Sequence, residues 1–282
     1  MSFSADWLQL RAAADSRARA TTLEAALRGA LTVSDPAGTG TIIDLGSGSG
    51  ANCRHLAPQL DQRRNWLLVD NDTVLLAEAT RLCRPLPAVT TLHTRSCDLA
   101  QQLTTLPFAA AALVTGSALL DLVSQAWLEQ LALACEQAQL PVLFTLSYDG
   151  RIHLQPGDHD DLSLIAAVNG HQRGDKGFGA ALGPTASSQA VRLFRASGYD
   201  VQVTRSDWLL DASRTDDAAL LRPLVSGWAQ AAIEQRPDCA SLFTQWCQRR
   251  LRAVADGTLQ VQVGHEDVLA LPDNAGSRSA QS

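Results

Sequence analysis

The sequence predicts an α/β fold with a mostly parallel sheet covered by helices on both faces. Three observations support this prediction. Short apolar segments alternate with helical patterns between residues 41 and 147, these segments are almost continuously apolar, and a glycine-rich turn follows the first of them. Continuously apolar strands are typical of a sheet that is buried on both faces. A last strand, from Thr258 to His265, alternates apolar and polar residues, which favours an antiparallel position.

The elements can be predicted one by one from the spacing of the apolar residues. Residues 5–32 predict one broken or two short helices. Strands are predicted at 41–45, 66–70, 88–94, 110–115, 141–147 and 200–205, and helices at about 50–60, 72–83, 122–138, 160–172 and 186–197, with two more within 215–254.

This order divides the chain into an N-terminal helical cap at 1–38 and a main α/β domain at 39–271. The main domain contains a polar, glycine-bearing insertion at 148–185 and a helical insertion at 215–254. The small polar residues of 272–282 predict a disordered tail.

The composition narrows the functional classes. The chain has 282 residues and a formal charge of −6, and an acidic balance argues against a nucleic-acid partner. No apolar run reaches the roughly 20 residues of a membrane span, and the N-terminus lacks the apolar core of a signal peptide. The six cysteines show no metal-ligand spacing and are interpreted as buried thiols in a reducing cytoplasm, so no metal is expected.

The most informative segment is the glycine loop that follows the first strand, within Thr41–Asn52. Glycines at 46, 48 and 50 let the backbone turn tightly and approach a ligand closely. Gly46, Gly48 and Ala51 fit the dinucleotide fingerprint, which would indicate an NAD-dependent oxidoreductase. Asp44 argues against a pyrophosphate, because two negative charges in a desolvated cleft repel each other.

With Asp44 included, the loop more closely resembles the acid-x-G-x-G-x-G motif of class I S-adenosylmethionine-dependent methyltransferases. The resemblance covers residues 40–150 well and 186–270 more loosely. It implies a Rossmann-like sheet of seven strands with the last one antiparallel, with helical insertions, and S-adenosylmethionine as the cofactor. Asp44, Gly46, Ser47, Gly48 and Gly50 would then form the cofactor loop.

The resemblance assigns further cofactor contacts to the ends of later strands. Asp70, about 20 residues beyond the loop, would accept hydrogen bonds from the ribose hydroxyls, with Asn71 beside it. Capping of the next helix, by Asn71 or Asp72, is the alternative use of this acidic turn. Asp98 and Leu99 match the family's adenine contact, although Asp98 could be a solvated loop residue. Gly116 and Ser117 would line the methionine end.

The sequence defines the binding site of the methyl acceptor less closely than that of the cofactor. The insertion at 148–185 leaves the sheet edge where ligands bind, and its mixed polar groups suit a small polar metabolite. We expect acceptor contacts from this segment at Arg151, Gln172, Arg173, Asp175 and Lys176.

Three residues are candidates for the catalytic group. His171 or His153 could act as a base, because imidazole titrates near neutral pH. Asp121 matches a position where the family often presents a polar residue beside the methyl group, or it could cap the following helix. The N-terminal helices, with Arg11, Arg17 and Arg19, could add another wall. Packing or solvation is the competing explanation for each of these residues.

The resulting prediction is a cytoplasmic methyltransferase that modifies O or N of a small polar metabolite and has neither a membrane nor a nucleic-acid partner. RNA or protein methylation, a non-catalytic cofactor-binding regulator and an NAD-dependent oxidoreductase are the alternatives. The oligomeric state cannot be predicted from the sequence.

Overall fold

The computed structural model describes residues 5–273, so the predicted tail lies outside the described residues from 274 onward. The helices are α1 (Ala5–Ala18), α2 (Thr21–Ser34), α3 (Ala51–Leu56), α4 (Thr73–Cys83), α5 (Leu99–Gln102), α6 (Gln125–Ala138), α7 (Asp161–His171), α8 (Ala186–Ala196), α9 (Thr215–Gln235) and α10 (Ala240–Ala255). The strands are β1 (Thr41–Leu45), β2 (Arg64–Asp70), β3 (Val89–Ser96), β4 (Ala111–Ser117), β5 (Val142–Gln155), β6 (Tyr199–Arg205), β7 (Trp208–Asp211) and β8 (Gln260–Pro272).

The strands form one sheet in the order β3-β2-β1-β4-β5-β8-β6. Strands β1 to β5 pair in parallel, and β8 runs antiparallel to its neighbours β5 and β6. The prediction of a mostly parallel sheet with an antiparallel last strand is confirmed. The order reverses between β1 and β4, and ligands of such sheets bind at the carboxyl ends of the strands near this reversal.

Within residues 5–273 the sheet has eight strands, one more than predicted. The additional strand, β7, is only four residues long and pairs with the first half of β8. Four residues are too few to show a periodicity in the sequence, and we did not predict a strand there.

Strand β5 is also longer than predicted, because it continues from Tyr148 to Gln155. Two shifts of register against β8 bend it, after Phe144 and after Tyr148. The first eight residues of the predicted polar insertion therefore belong to the sheet. The divisions of the chain into cap, main domain and insertions stay predictions.

Apolar side chains cover both faces of the sheet and the extended ends of β5 and β8. One cluster includes Phe144 and Trp127, and the opposite face carries Trp66 and Leu269. A third cluster, which includes Trp246, joins α7, α9 and α10 to the far end of β5 and β8. The two helices of 215–254 thus pack on the sheet extension. Among the described residues, no helix combines the length and apolar character needed to cross a membrane.

Candidate functional site

The glycine loop connects the end of β1 to the start of α3. Gly46, Gly48 and Gly50 have φ values of +61°, +50° and +79°, in the left-handed region that favours glycine. The amide of Ser47 donates to the carbonyl of Val69 on β2 at 3.0 Å, and the amide of Gly50 donates to the Ser47 carbonyl at 2.8 Å. The loop is therefore anchored to the neighbouring strand.

The three glycines face different surroundings. A Cβ at Gly48 would stand 3.2 Å from Leu8 of α1, and one at Gly46 would stand 3.3 Å from Leu119. A Cβ at Gly50 would come within 2.5 Å of the Cys83 sulfur on α4. Gly46 and Gly48 line an open cleft. Gly50 instead allows the loop to pack closely on α4.

This cleft lies above the carboxyl ends of β1, β2, β3 and β4. It is lined by eight of the eleven predicted cofactor residues, namely Gly46, Ser47, Gly48, Asp70, Asn71, Asp98, Leu99 and Ser117. Of the other three, Asp44 is fully buried, Gly50 packs on α4, and Gly116 lies against the Phe144 ring and the Leu45 carbonyl. The strand ends thus bring most of the predicted set to one place.

In the acidic turn after β2, one residue caps the next helix and another is available for a ligand. Asp72 caps α4, because its carboxylate accepts from the amides of Val74 at 2.9 Å and Leu75 at 3.1 Å. Asp70 accepts from the Gly48 amide at 2.8 Å and the Asp72 amide at 3.0 Å. Asp72 is therefore the helix cap that was predicted as the alternative use of this turn. The Asp70 carboxylate stays available for a ligand.

The acid after β3 lies at the cleft and also caps a helix, and capping was not among the uses predicted from the sequence. The Asp98 carboxylate accepts from the Ala100 amide at 3.0 Å and caps the short helix α5, while Asp98 also lines the cleft. Next to it, the Leu99 carbonyl accepts a hydrogen bond from the Trp127 indole at 2.7 Å. This end of the cleft is therefore fixed by α6.

Asp44 lies in the interior, just before the loop. Its Oδ1 accepts from the Asn52 amide nitrogen at 2.8 Å, and its Oδ2 has no hydrogen-bond partner among the described residues. Burial raises the pKa of the Asp44 carboxyl to about 7. On its other side, Asn52 accepts from Arg19 at 2.9 Å. A carboxylate in this position favours a positive charge nearby, since a buried charge without compensation is costly.

Four of the five predicted acceptor contacts, and the catalytic candidate His153, do not line the cleft, and local pairing explains two of them. Arg151 lies on β5 and binds the carboxylates of Asp149 and, at 2.8 Å, Asp207. His153 lies further along β5, at a separate cavity that Arg17 also lines. Asp175 accepts from the amides of Gly177 at 2.7 Å and Gly179 at 3.0 Å, so it shapes its own loop. Gln172 and Arg173, at the end of α7, are likewise outside the cleft.

Lys176 is the predicted acceptor residue that does line the cleft. Its ammonium nitrogen lies 3.3 Å from Nδ1 and 3.1 Å from the carbonyl oxygen of His171. The Nε2 of His171 lies 3.0 Å from the Glu234 carboxylate on α9. Both ring nitrogens of His171 are therefore engaged, and this residue reaches the cleft only through Lys176.

Asp121 does not line the cleft, although its neighbours Leu119 and Leu122 do. Burial raises the pKa of its carboxyl to about 6, and its Oδ1 has no hydrogen-bond partner among residues 5–273. The carbonyl of Asp121 accepts from the Gly183 amide at 3.0 Å, so this turn is tied to the segment before α8. Asp121 is not the N-cap of α6, because Ser124 occupies that position.

Helix α1 supplies a wall that sequence reasoning identified only in part. Arg11 lines the cleft together with Leu8 and Asp15, whereas Arg17 lies at the separate cavity. Arg11 binds Asp15 through Nε at 2.8 Å and Nη2 at 3.1 Å, and it stacks 5.0 Å from the Trp208 ring. Only the helical spacing of α1 could have indicated that these side chains share one face.

The segment after Lys176 forms a second wall of the cleft, in addition to α1. Gly177 and Phe178 line the cleft, and the Phe178 ring contacts Trp127 edge-on with 5.7 Å between centroids. The sequence analysis did not assign Phe178 to the site. Its contact with α6 follows from the tertiary fold and has no local sequence signal.

Comparisons with known proteins give weak similarities. No family model matches the chain, and no curated protein matches its sequence. Among solved structures, a geranyl diphosphate C-methyltransferase from Streptomyces coelicolor A3(2) is 14% identical with a TM-score of 0.44, covering 89% of this chain and 78% of its own. YcgJ from Bacillus subtilis is 11% identical with a TM-score of 0.49, covering 88% and 98%. The cyclopropane synthase MmaA2 from Mycobacterium tuberculosis is 11% identical with a TM-score of 0.44, covering 87% and 83%.

The fold itself can be assigned from the sheet of this chain. Five parallel strands are followed by an antiparallel β8 inserted beside β5, and the glycine loop stands at the end of β1, next to the reversal of strand order. The chain has the fold of the class I S-adenosylmethionine-dependent methyltransferases.

Proposed function

We propose that this protein is an S-adenosylmethionine-dependent methyltransferase that modifies an oxygen or nitrogen of a small polar metabolite. The observation that carries the proposal is the buried Asp44 carboxylate, one oxygen of which has no partner among the described residues. A ligand with an ammonium and a sulfonium group would compensate this charge. A pyrophosphate at the same loop would add to it, which argues against the NAD alternative.

The lining of the cleft supports a particular placement of the cofactor. Asp70 would accept from the ribose hydroxyls, because each carboxylate oxygen can take a further hydrogen bond besides the amide it already accepts. Asp98 and Leu99 would contact the adenine, and Ser117 would face the methionine end. Gly50 and Gly116 would not contact the cofactor. They would allow α4 and β5 to pack closely against the site.

When bound, the cofactor supplies a methyl group on a sulfonium, and transfer is an in-line displacement. Positioning of the acceptor can account for much of such a reaction. The chain would provide that positioning through α1 on one side and the Lys176–Phe178 segment on the other, which together would exclude water. We assign His171 a supporting role behind Lys176, and we propose no proton transfer by His153, which lies at the separate cavity.

Two features support a small acceptor over RNA or protein. The cleft is covered by α1, and the chain has a net charge of −6, which is unfavourable for a polyanion. We expect the protein in the cytoplasm, where its six free thiols would stay reduced.

Calorimetry with S-adenosylmethionine and, separately, NADH is the first test. We expect S-adenosylmethionine to bind and NADH to bind more weakly or not at all. Absence of S-adenosylmethionine binding at millimolar concentration would refute the cofactor assignment.

The second test incubates the protein with methyl-labelled S-adenosylmethionine and a cell extract separated into metabolites and macromolecules. Label in a small product supports the proposal. Label confined to RNA or protein would replace it with the macromolecular alternative, and binding without any product would favour a regulator.

A further inference from the structure

Lys176 has an unusual position for a cation. It is the only lysine among the 23 basic residues of the chain, and it is only 8% exposed although it lines the cleft. Burial lowers the pKa of its ammonium group. Within residues 5–273, no carboxylate oxygen lies within 4.0 Å of its nitrogen, whereas Arg11, the other cation of the cleft, is bound by Asp15.

The contacts of Lys176 indicate how its hydrogens are arranged. An ammonium group has three donors and no acceptor. Two of them can be directed at Nδ1 and the carbonyl oxygen of His171, which lie at 3.3 Å and 3.1 Å. Nδ1 must then carry the lone pair, so Nε2 carries the proton and donates to Glu234 at 3.0 Å. This leaves one N–H of Lys176 for a ligand.

The arrangement holds the ammonium without a direct carboxylate contact, and Glu234 acts on it only from the other side of the His171 ring. His171 is fixed by Glu234 on α9, and His171 in turn fixes Lys176 through two acceptors of its own. A partly desolvated cation without a carboxylate partner gains most from an anion that approaches from the cleft.

We propose that the methyl acceptor carries an anionic group, a carboxylate or a phosphate, that binds Lys176, and that His171 and Glu234 are positioning residues for this ammonium. The inference rests on the proposed function and names the chemical class of its acceptor. It replaces the wider set of polar acceptor contacts expected from the sequence with one anchor.

The test uses the full chain saturated with S-adenosylhomocysteine, whose binding is measured first. Inorganic phosphate, benzoate and the neutral isostere benzamide are then titrated by calorimetry. We expect benzoate or phosphate to bind better than benzamide, and whichever of the two binds identifies the anionic group. Lys176→Met should weaken that anion by about tenfold or more, because a charge-assisted hydrogen bond is lost.

Three further variants show whether the effect comes from the Lys176 anchor, from general charge or from a loss of folding. Arg192→Met removes an exposed cation of α8 and should leave anion affinity unchanged. His171→Ala should weaken the anion while S-adenosylhomocysteine affinity stays the same, and His171→Asn, which keeps an acceptor, should restore part of the loss.

The outcomes are distinct. Equal anion affinity in the wild type and Lys176→Met, no anion binding, or no preference over benzamide would overturn the inference. Loss of S-adenosylhomocysteine binding in Lys176→Met with unchanged anion binding would also overturn it, since Lys176 would then hold the cofactor. If the wild type binds no S-adenosylhomocysteine, the proposed function fails, and Lys176-dependent phosphate binding by the protein alone still decides the anion site.

Discussion

The floor and the cover of the cleft are built in different ways. The floor consists of the glycine loop and the ends of β1 to β4, where the polar residues lie at the last position of a strand or just after it. The cover consists of α1 and the Lys176–Phe178 segment, which are far apart in the chain and meet only in the folded structure. The floor thus depends on local spacing and the cover on tertiary packing, and variants of the two should fail in different ways.

The largest effect is expected on the free energy of unfolding, from a substitution at Gly50, where the glycine loop packs on α4. Gly50→Ala should lower the free energy of unfolding by about 3 kcal/mol, because the added Cβ combines a left-handed φ with a clash against Cys83. Urea denaturation measures this. Gly198→Ala is the matched control, since Gly198 also has φ +79° but nothing stands within 4 Å of its Cβ position. Equal losses for both variants would show that packing on α4 is unimportant.

The next effect concerns ligand binding by the floor. Asp70→Ala should weaken S-adenosylmethionine by roughly 1–3 kcal/mol, because two charge-assisted hydrogen bonds to the ribose would be lost. Calorimetry gives the affinity directly. Asp61→Ala, which removes an exposed acid paired only loosely with Arg28, should leave it unchanged. An unaltered affinity in Asp70→Ala would remove this residue from the site.

A smaller effect, on the pH dependence of stability, is expected from Asp44, which is buried, unlike the acids that line the cleft. The Asp44 carboxyl has a folded pKa of about 7 against 3.8 in the unfolded chain, so the folded state binds its proton more tightly. Stability should therefore fall as pH rises from about 4 to about 7 and then level off. Asp44→Asn removes this contribution.

Urea denaturation at pH 5 and pH 8 checks this prediction. Without cofactor, the loss of stability on raising the pH should be smaller in Asp44→Asn than in the wild type, by on the order of 1 kcal/mol. The variant should also bind S-adenosylmethionine more weakly, since the compensating charge is gone. Parallel pH profiles for the two proteins would contradict the assignment of a raised pKa to Asp44.

The smallest effect is expected at a residue that sequence reasoning placed in the site. His153→Ala should leave cofactor affinity and methyl transfer unchanged within about twofold, because surface substitutions away from a site cost little. His153 faces a separate cavity on the far part of β5. A large loss of turnover in the labelled-cofactor assay would show that the acceptor extends to that cavity.

The sequence predicted the floor of the cleft better than its cover for a physical reason. Asp44, Asp70 and Asp98 lie at or just beyond the ends of β1, β2 and β3. Parallel strands end at one edge of the sheet, so spacing along the chain determines proximity. Arg151 and His153 were predicted because they belong to the polar segment that follows the fifth predicted strand. They lie on the extension of β5, whose pairing with β8 involves residues more than 100 positions away.

The same reasoning explains the mixed outcome near α7. Lys176, Asp175 and Arg173 are neighbours in the sequence, yet only Lys176 lines the cleft. Which of them does so depends on the turn closed by the Asp175 carboxylate and on the contact with His171. Neither contact produces a periodic signal, and spacing alone could not rank the three.

The position of α1 has a consequence for the rate of turnover. Its far end is held by the ion pair between Arg17 and Asp217, and the chain just after it is held by the Ala20 amide, which donates to Asp267 at 3.0 Å. Its other end places Leu8 against the glycine loop. We expect a spent cofactor beneath this helix to leave when α1 moves away from the glycine loop. Pre-steady-state measurements should then show a burst of first product followed by a slower phase, with the slow rate set by the opening of α1.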